Sequence, residues 1–237
     1  MKLKFKNQAF QMDAVNAVVD LFTGQEKTKS TFSVVDERQT SLLPEMGQGN
    51  ALYIDQETLT SNMHTVQKRN NLPLTPTAEG CQFCIEMETG TGKTYVYTKT
   101  IFELNRKYGF TKFVIVVPSV AIREGVYKSL QTTQEHFAGE YGKKLRFFIY
   151  SSDRLTEIDR FAADSSINVM IINMQAFNSS KNQKIIDKKL DAFRSRRPID
   201  IIAKTNPILI IDEPQSVEGK TTKESLKKFN ALFTLRY

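Results

Sequence analysis

Apolar residues follow two rhythms along this chain. Phe10, Ala14, Val15, Val18, Val19 and Phe22 fall three or four apart, the spacing of one helix face, so residues 10–22 read as an amphipathic helix that Gly24 ends. From residue 83 onward, short apolar runs alternate with helical stretches. The runs at 83–87, 112–117, 145–150, 169–173 and 208–211 predict strands, and the stretches at 93–108, 120–133, 158–161 and 183–193 predict helices. The run at 208–211, Ile-Leu-Ile-Ile, has no polar side and reads as a strand buried on both faces. This alternation predicts an α/β fold, a mostly parallel sheet with helices on both faces. Residues 25–80 break the rhythm. They are rich in Thr, Ser, Gln and Asn, with apolar pieces at 32–35 and 51–54, the second running into Asp55-Gln56-Glu57. They read as a polar insertion, a hairpin or short helix packed beside the functional site rather than in the core. The chain thus divides into an N-terminal helix (1–24), the insertion (25–80) and the α/β domain (81–237).

The candidate chemistry lies where the strands end. The strand at 83–87 runs into Glu88-Thr89-Gly90-Thr91-Gly92-Lys93-Thr94 and then a helix, the order of a phosphate-binding loop. Gly90 and Gly92 allow the backbone to turn successive N–H groups inward on an anion. Lys93 would reach the β- and γ-phosphates, and the Thr94 hydroxyl would take Mg²⁺. The strict pattern opens with glycine, and Met87 stands there instead; residues 89–94 are intact. Downstream, the strand at 208–211 ends in Asp212-Glu213-Pro214-Gln215. Asp212 at a strand tip suits Mg²⁺, and Glu213 beside it suits a base that orients and deprotonates water. In a parallel sheet, ligands bind off the carboxyl ends of the strands. The phosphate loop, Pro118-Ser119, Asn173 and Asp212-Glu213 all fall there and belong to one rim.

Composition narrows the rest. The 237 residues are 40% apolar and 25% charged, a globular composition, with a net charge of +7 that favours a polyanionic partner, nucleic acid first. There is no apolar run of transmembrane length, and residues 1–6 lack the apolar core of a signal peptide, so the reading is a cytoplasmic protein with no membrane partner. Cys81 and Cys84 form a lone C-x-x-C, without a second pair or a histidine at ligand spacing. Core packing is the better reading of Cys84, and two thiols without a disulfide framework suit a reducing compartment.

Taken together, Thr89-Gly90-Thr91-Gly92-Lys93-Thr94, Val116-Val117-Pro118-Ser119 and Asp212-Glu213-Pro214-Gln215 resemble the first RecA-like domain of superfamily-two helicases and translocases. The Asp-Glu-Pro-Gln variant, Phe10-Gln11 with Asp13-Ala14-Val15, Glu86-Met87-Glu88, and Asn173-Met174-Gln175-Ala176-Phe177-Asn178 are similar to the restriction (Res) subunit of type III restriction–modification enzymes. The resemblance spans nearly all of the chain and is weakest over 25–80. It implies a RecA-like P-loop NTPase domain that uses ATP and Mg²⁺. Lys93, Asp212 and Glu213 would be catalytic. Gln11, with Gln8 as the alternative, would read adenine beside the loop residues Thr89, Gly90, Thr91, Gly92 and Thr94. Pro118, Ser119, Arg123, Asn173 and Gln175 would meet nucleic acid.

It further implies an ATP-dependent translocase on double-stranded DNA, partnered by the methyltransferase (modification) subunit, with cleavage by a distal nuclease domain. Leu235-Arg236-Tyr237 is similar to the residues just before the family's coupling motif. The second RecA-like domain would lie beyond this stretch, so the stretch by itself is expected to hydrolyse ATP at near-background rate. Two other readings stay open. One is a nucleotide-binding fragment without catalysis of its own, which measured turnover would distinguish. The other is the motor of another DNA or RNA helicase, against which a nuclease motif further along the coding sequence would count.

Overall fold

The computed structural model describes residues 5–6, 8–27, 30–33, 46–174, 186–187, 196–217 and 219–237. Gln175 and nearly all of the predicted helix at 183–193 lie outside them.

The fold is an α/β domain built on a six-stranded sheet in which every pairing is parallel. In chain order its strands are β3 (Gln82–Cys84), β4 (Lys112–Val117), β5 (Arg146–Ile149), β6 (Asn168–Asn173), β7 (Ile208–Ile211) and β8 (Phe233–Arg236), arranged β3-β8-β7-β4-β6-β5. Alternating side chains supply two cores. Phe113, Ile115, Val117, Ile208 and Ile210 face one layer, and Val114, Val116, Leu209 and Ile211 face the other. The first layer holds α1 (Ala9–Asp20), α2 (Gln56–Arg69), α3 (Lys93–Tyr108) and α4 (Val120–Tyr141). The second holds α5 (Thr156–Ala163) and α6 (Pro198–Lys204), with Leu226 of α7 (Lys220–Lys227) packed against it.

Several elements differ from the sequence reading, each for a local reason. Helix α4 runs eight residues past the predicted end at 133, through a polar stretch. Phe137 is fully buried and stacks on Phe102 at 5.1 Å, and Gly142, in the left-handed region at φ +64°, stops the helix. Strand β8 and helices α6 and α7 were not predicted. Cys84 is exposed rather than packed in the core, because β3 is an edge strand and Phe83 takes the inward position. Cys81 is half-buried, and that burial pushes its thiol pKa up.

The insertion departs furthest. It holds an antiparallel pair, β1 (Ser30–Ser33) with β2 (Met46–Gly49), and the four-turn helix α2. Asp55 caps α2 by accepting from Thr58 N at 2.7 Å, and Leu59, Met63 and Val66 enter the first core at helical spacing. Asn50, 2% exposed, pins the segment to the sheet. Its Nδ2 donates to the carbonyls of Lys112 (2.8 Å) and Asn206 (3.1 Å), and its Oδ1 accepts from Thr111 N (2.8 Å) and Lys112 N (3.2 Å). These groups lie at the amino-terminal ends of β4 and β7. A six-residue strand spans about 20 Å, so Asn50 sits at the far end of the sheet from the carboxyl rim. The described part of the insertion therefore packs into the core at the end of the sheet opposite the candidate site, and not beside it. The same end carries Lys112, buried, whose ammonium donates to the carbonyls of Phe161 and Asp164 where α5 ends; burial lowers its pKa to about 8.

No helix among the described residues is long and apolar enough to cross a membrane.

Candidate functional site

The loop from β3 to α3 is shaped by its glycines. Ile85 N donates to Arg236 O at 2.8 Å, extending the sheet by one residue before the chain turns away. Gly90 and Gly92 take φ of +82° and +87°. Gly92 is the residue before α3, and no side chain caps that end of the helix, so its first-turn N–H groups face the loop. Thr91 Oγ1 donates to Glu88 O at 2.6 Å and tightens the bend. Gln11 lies against the loop, donating from Nε2 to Thr91 O at 2.9 Å, while Gln8 is exposed at the start of α1. A Cβ on Gly92 would stand 2.8 Å from Gln11 Nε2. Gly92→Ala is therefore expected to impose left-handed strain of about 1–2 kcal/mol and to displace Gln11. Nucleotide affinity by calorimetry should fall about five- to thirtyfold, with helix content by circular dichroism unchanged.

The acidic pair meets this loop from two strands away. Asp212 N donates to Val116 O at 3.0 Å, and Glu213 N to Tyr237 O at 3.3 Å. Glu213 has φ +57°, an uncommon conformation for a residue with a side chain. The turn aims its carboxylate back at the loop, where Oε1 accepts from Lys93 Nζ at 3.3 Å and Oε2 accepts from Gln215 Nε2. The Gln215 hydrogen bond and then Lys93 hold the Glu213 pKa below the usual carboxylate range. Asp212 is 6% exposed, and burial together with the adjacent Glu213 carboxylate raises its pKa. Ionising Asp212 in this setting carries a cost that a cation at the site would offset. Tyr97 donates from its hydroxyl to Asp212 Oδ2 at a long 3.4 Å, and burial pushes the Tyr97 hydroxyl pKa well up. Tyr97 thus reaches one of the two residues suited to Mg²⁺ from the helix that carries the other. Neither it nor the Gln215 contact was read from the sequence, although Tyr97 lies one helical turn beyond Thr94.

Pro118, Ser119, Arg123 and Asn173 share the rim. Val117 and Asn173 are register partners at the ends of β4 and β6, which sets Pro118-Ser119 beside Asn173, itself buried. The Ser119 hydroxyl caps α4 by accepting from Ile122 N at 3.3 Å. Arg123, in the first turn of α4, pairs with Glu124 at 2.7 Å. Among the described residues, no cluster of three or more His, Cys, Asp or Glu side chains is placed to hold a metal, which leaves C-x-x-C without co-ligands.

This arrangement can be set beside known proteins. The family model for "Type III restriction enzyme, res subunit" matches residues 4–236. The chain is 31% identical over 255 residues to the Res subunit of the type III restriction–modification enzyme EcoP15I of Escherichia coli, an alignment covering 98% of this chain and 25% of that protein. It is 28% identical over 258 residues to the EcoPI Res subunit of Escherichia phage P1, with the same coverage. The chain thus spans about a quarter of the length of these curated relatives. Among solved structures, the Sulfolobus solfataricus SWI2/SNF2 ATPase core in complex with dsDNA matches 75% of this chain and 29% of its own, at 13% identity and a TM-score of 0.44. With a match that runs from end to end of the folded domain and takes in both nucleotide motifs, the chain belongs to the Res-subunit family of type III restriction enzymes.

Proposed function

We propose that this chain is the ATP-binding and ATP-hydrolysing motor domain of a DNA translocase, the restriction subunit of a type III restriction endonuclease that cuts double-stranded DNA alongside a methyltransferase subunit. The observation that carries this reading is the Lys93–Glu213 contact at 3.3 Å, made between residues 120 positions apart. It sets the phosphate-loop cation against the base candidate.

In this reading Lys93 and the N–H groups of the loop would meet the phosphates, Gln11 would read adenine, and Thr94 and Asp212 would hold Mg²⁺. The metal, when bound, neutralises charge on the phosphate oxygens. As Lys93 turns to the phosphates, it gives up Glu213. That carboxylate is then free to accept a proton from water, while Gln215 keeps it oriented. Pro118, Ser119, Arg123, Asn173 and Gln175 form the DNA track. Ser119 is already used as a helix cap and Arg123 is already paired, so DNA would have to draw Arg123 away from Glu124.

Lys93→Ala tests the assignment. Lys93 is partly exposed at a loop, so the fold should survive. A lost charge-assisted contact of about 1.5–3 kcal/mol corresponds to a ten- to hundredfold loss of ATP affinity. Unchanged binding in calorimetry would remove the site.

A further inference from the structure

We propose that the groove between α7 and the β8–β3 edge is a second nucleic-acid contact that grips the sugar–phosphate backbone of one strand. The inference rests on the DNA-translocase reading and adds a surface to it. The groove has a volume of about 450 Å³, far more than one anion fills, and lies on the face of the sheet opposite α3. Its described lining holds three cations, Lys223, Lys227 and Arg236, and no carboxylate. Leu209 and Ile211 form an apolar floor, and the amides of Gln82 and Asn230 stand at its sides.

Three features favour a phosphodiester backbone. Lys223 and Lys227 are four residues apart on α7, about 6 Å along the helix axis, so two exposed ammonium groups face the groove in a row. No aromatic side chain in its described lining is placed to stack a base, so binding would be tolerant of sequence. The groove also reaches the carboxyl end of the sheet, where Arg236 is the register partner of Ile211, the residue before Asp212. The occupant would act close to the chemistry: one residue past Arg236, the Tyr237 carbonyl accepts the Glu213 N–H at 3.3 Å. Backbone held at Arg236 would bear directly on the strand end that fixes Glu213.

The test is fluorescence anisotropy with labelled single-stranded and duplex oligonucleotides over a range of salt concentrations. Lys223→Glu/Lys227→Glu should weaken binding roughly tenfold or more and reduce the slope of log K against log salt by about two. The Lys223→Arg/Lys227→Arg pair should restore both, and ATP affinity should stay at the wild-type value, which also reports a folded chain. Lys68→Glu/Lys144→Glu makes the same change in net charge outside the groove. An equal loss there would reduce the effect to general electrostatics and overturn the proposal. If Arg123→Ala weakens binding while the groove pair does not, the translocase reading stands and the groove contact falls. If the wild-type chain binds neither oligonucleotide, both fall. If the groove pair abolishes binding of inorganic phosphate while leaving oligonucleotide binding intact, the groove is a small-anion site and the proposal is again overturned.

Discussion

Glu213→Gln will bind ATP as well as the wild type and hydrolyse it about 10²–10⁴ times more slowly in the whole enzyme, the usual contribution of a positioned general base. The amide is nearly isosteric, and Gln tolerates the left-handed backbone at this position no worse than Glu. What it loses is proton affinity. It also gives up the ion pair that holds Lys93 at 3.3 Å, so ATP binding should if anything tighten. Single-turnover hydrolysis paired with calorimetry separates the outcomes. Equal losses in binding and turnover would make Glu213 a metal or folding residue. Asp212→Asn should behave differently, weakening Mg²⁺-dependent binding as well as turnover. Its carboxylate is the buried one, and its neutral replacement no longer calls for a cation.

The second large effect lies at the other end of the sheet. Asn50→Ala removes four hydrogen bonds and strands buried backbone groups of Thr111 and Lys112 and the half-buried carbonyl of Asn206. Each buried unsatisfied group costs about 1–3 kcal/mol, and water entering the space would relieve part of it. We expect a loss of about 3 kcal/mol, read as a lower urea midpoint with an unchanged slope. Asn50→Asp should do little better. It keeps the acceptor for Thr111 N and Lys112 N but turns a carboxylate oxygen toward two carbonyls. ATP affinity of the folded fraction should not change, because about 20 Å of strand separates Asn50 from the rim. A loss under about 1 kcal/mol would mean that the insertion is not anchored through this side chain.

The elements legible in the sequence were those whose pattern is self-sufficient. Strands β4 and β7 are apolar on both faces, and α3 follows two glycines, so all three were bounded as found. Strand β8 was not, because Phe-Thr-Leu-Arg is four residues whose identity as a strand comes from β3 and β7 on either side. The insertion misled for a related reason. Its polar composition suggests a surface, yet Asn50 is polar because it must satisfy backbone at strand ends, and α2 buries three residues under an otherwise polar face. At the site, the motifs gave the residue types and the rim they share. The Lys93–Glu213 contact, the left-handed Glu213 and the Tyr97–Asp212 contact depend on how separate segments meet.

Strand β3 has its neighbour in β8, so the segment that launches the phosphate loop is held by residues translated about 150 positions later. At ~5–20 residues per second, the loop waits on the ribosome for roughly 8–30 s before its supporting strand exists. By contrast, β4 and β6 are separated by one helix, one strand and one short helix, and can pair early. Closing the longer loop costs entropy that the last contacts must repay, and parallel pairing at this separation is slow. Nucleotide binding is thus tied to the pairing of β3 with β8. A chain that has collapsed around β4, β6 and β7 alone leaves the strand that launches the phosphate loop without its neighbour.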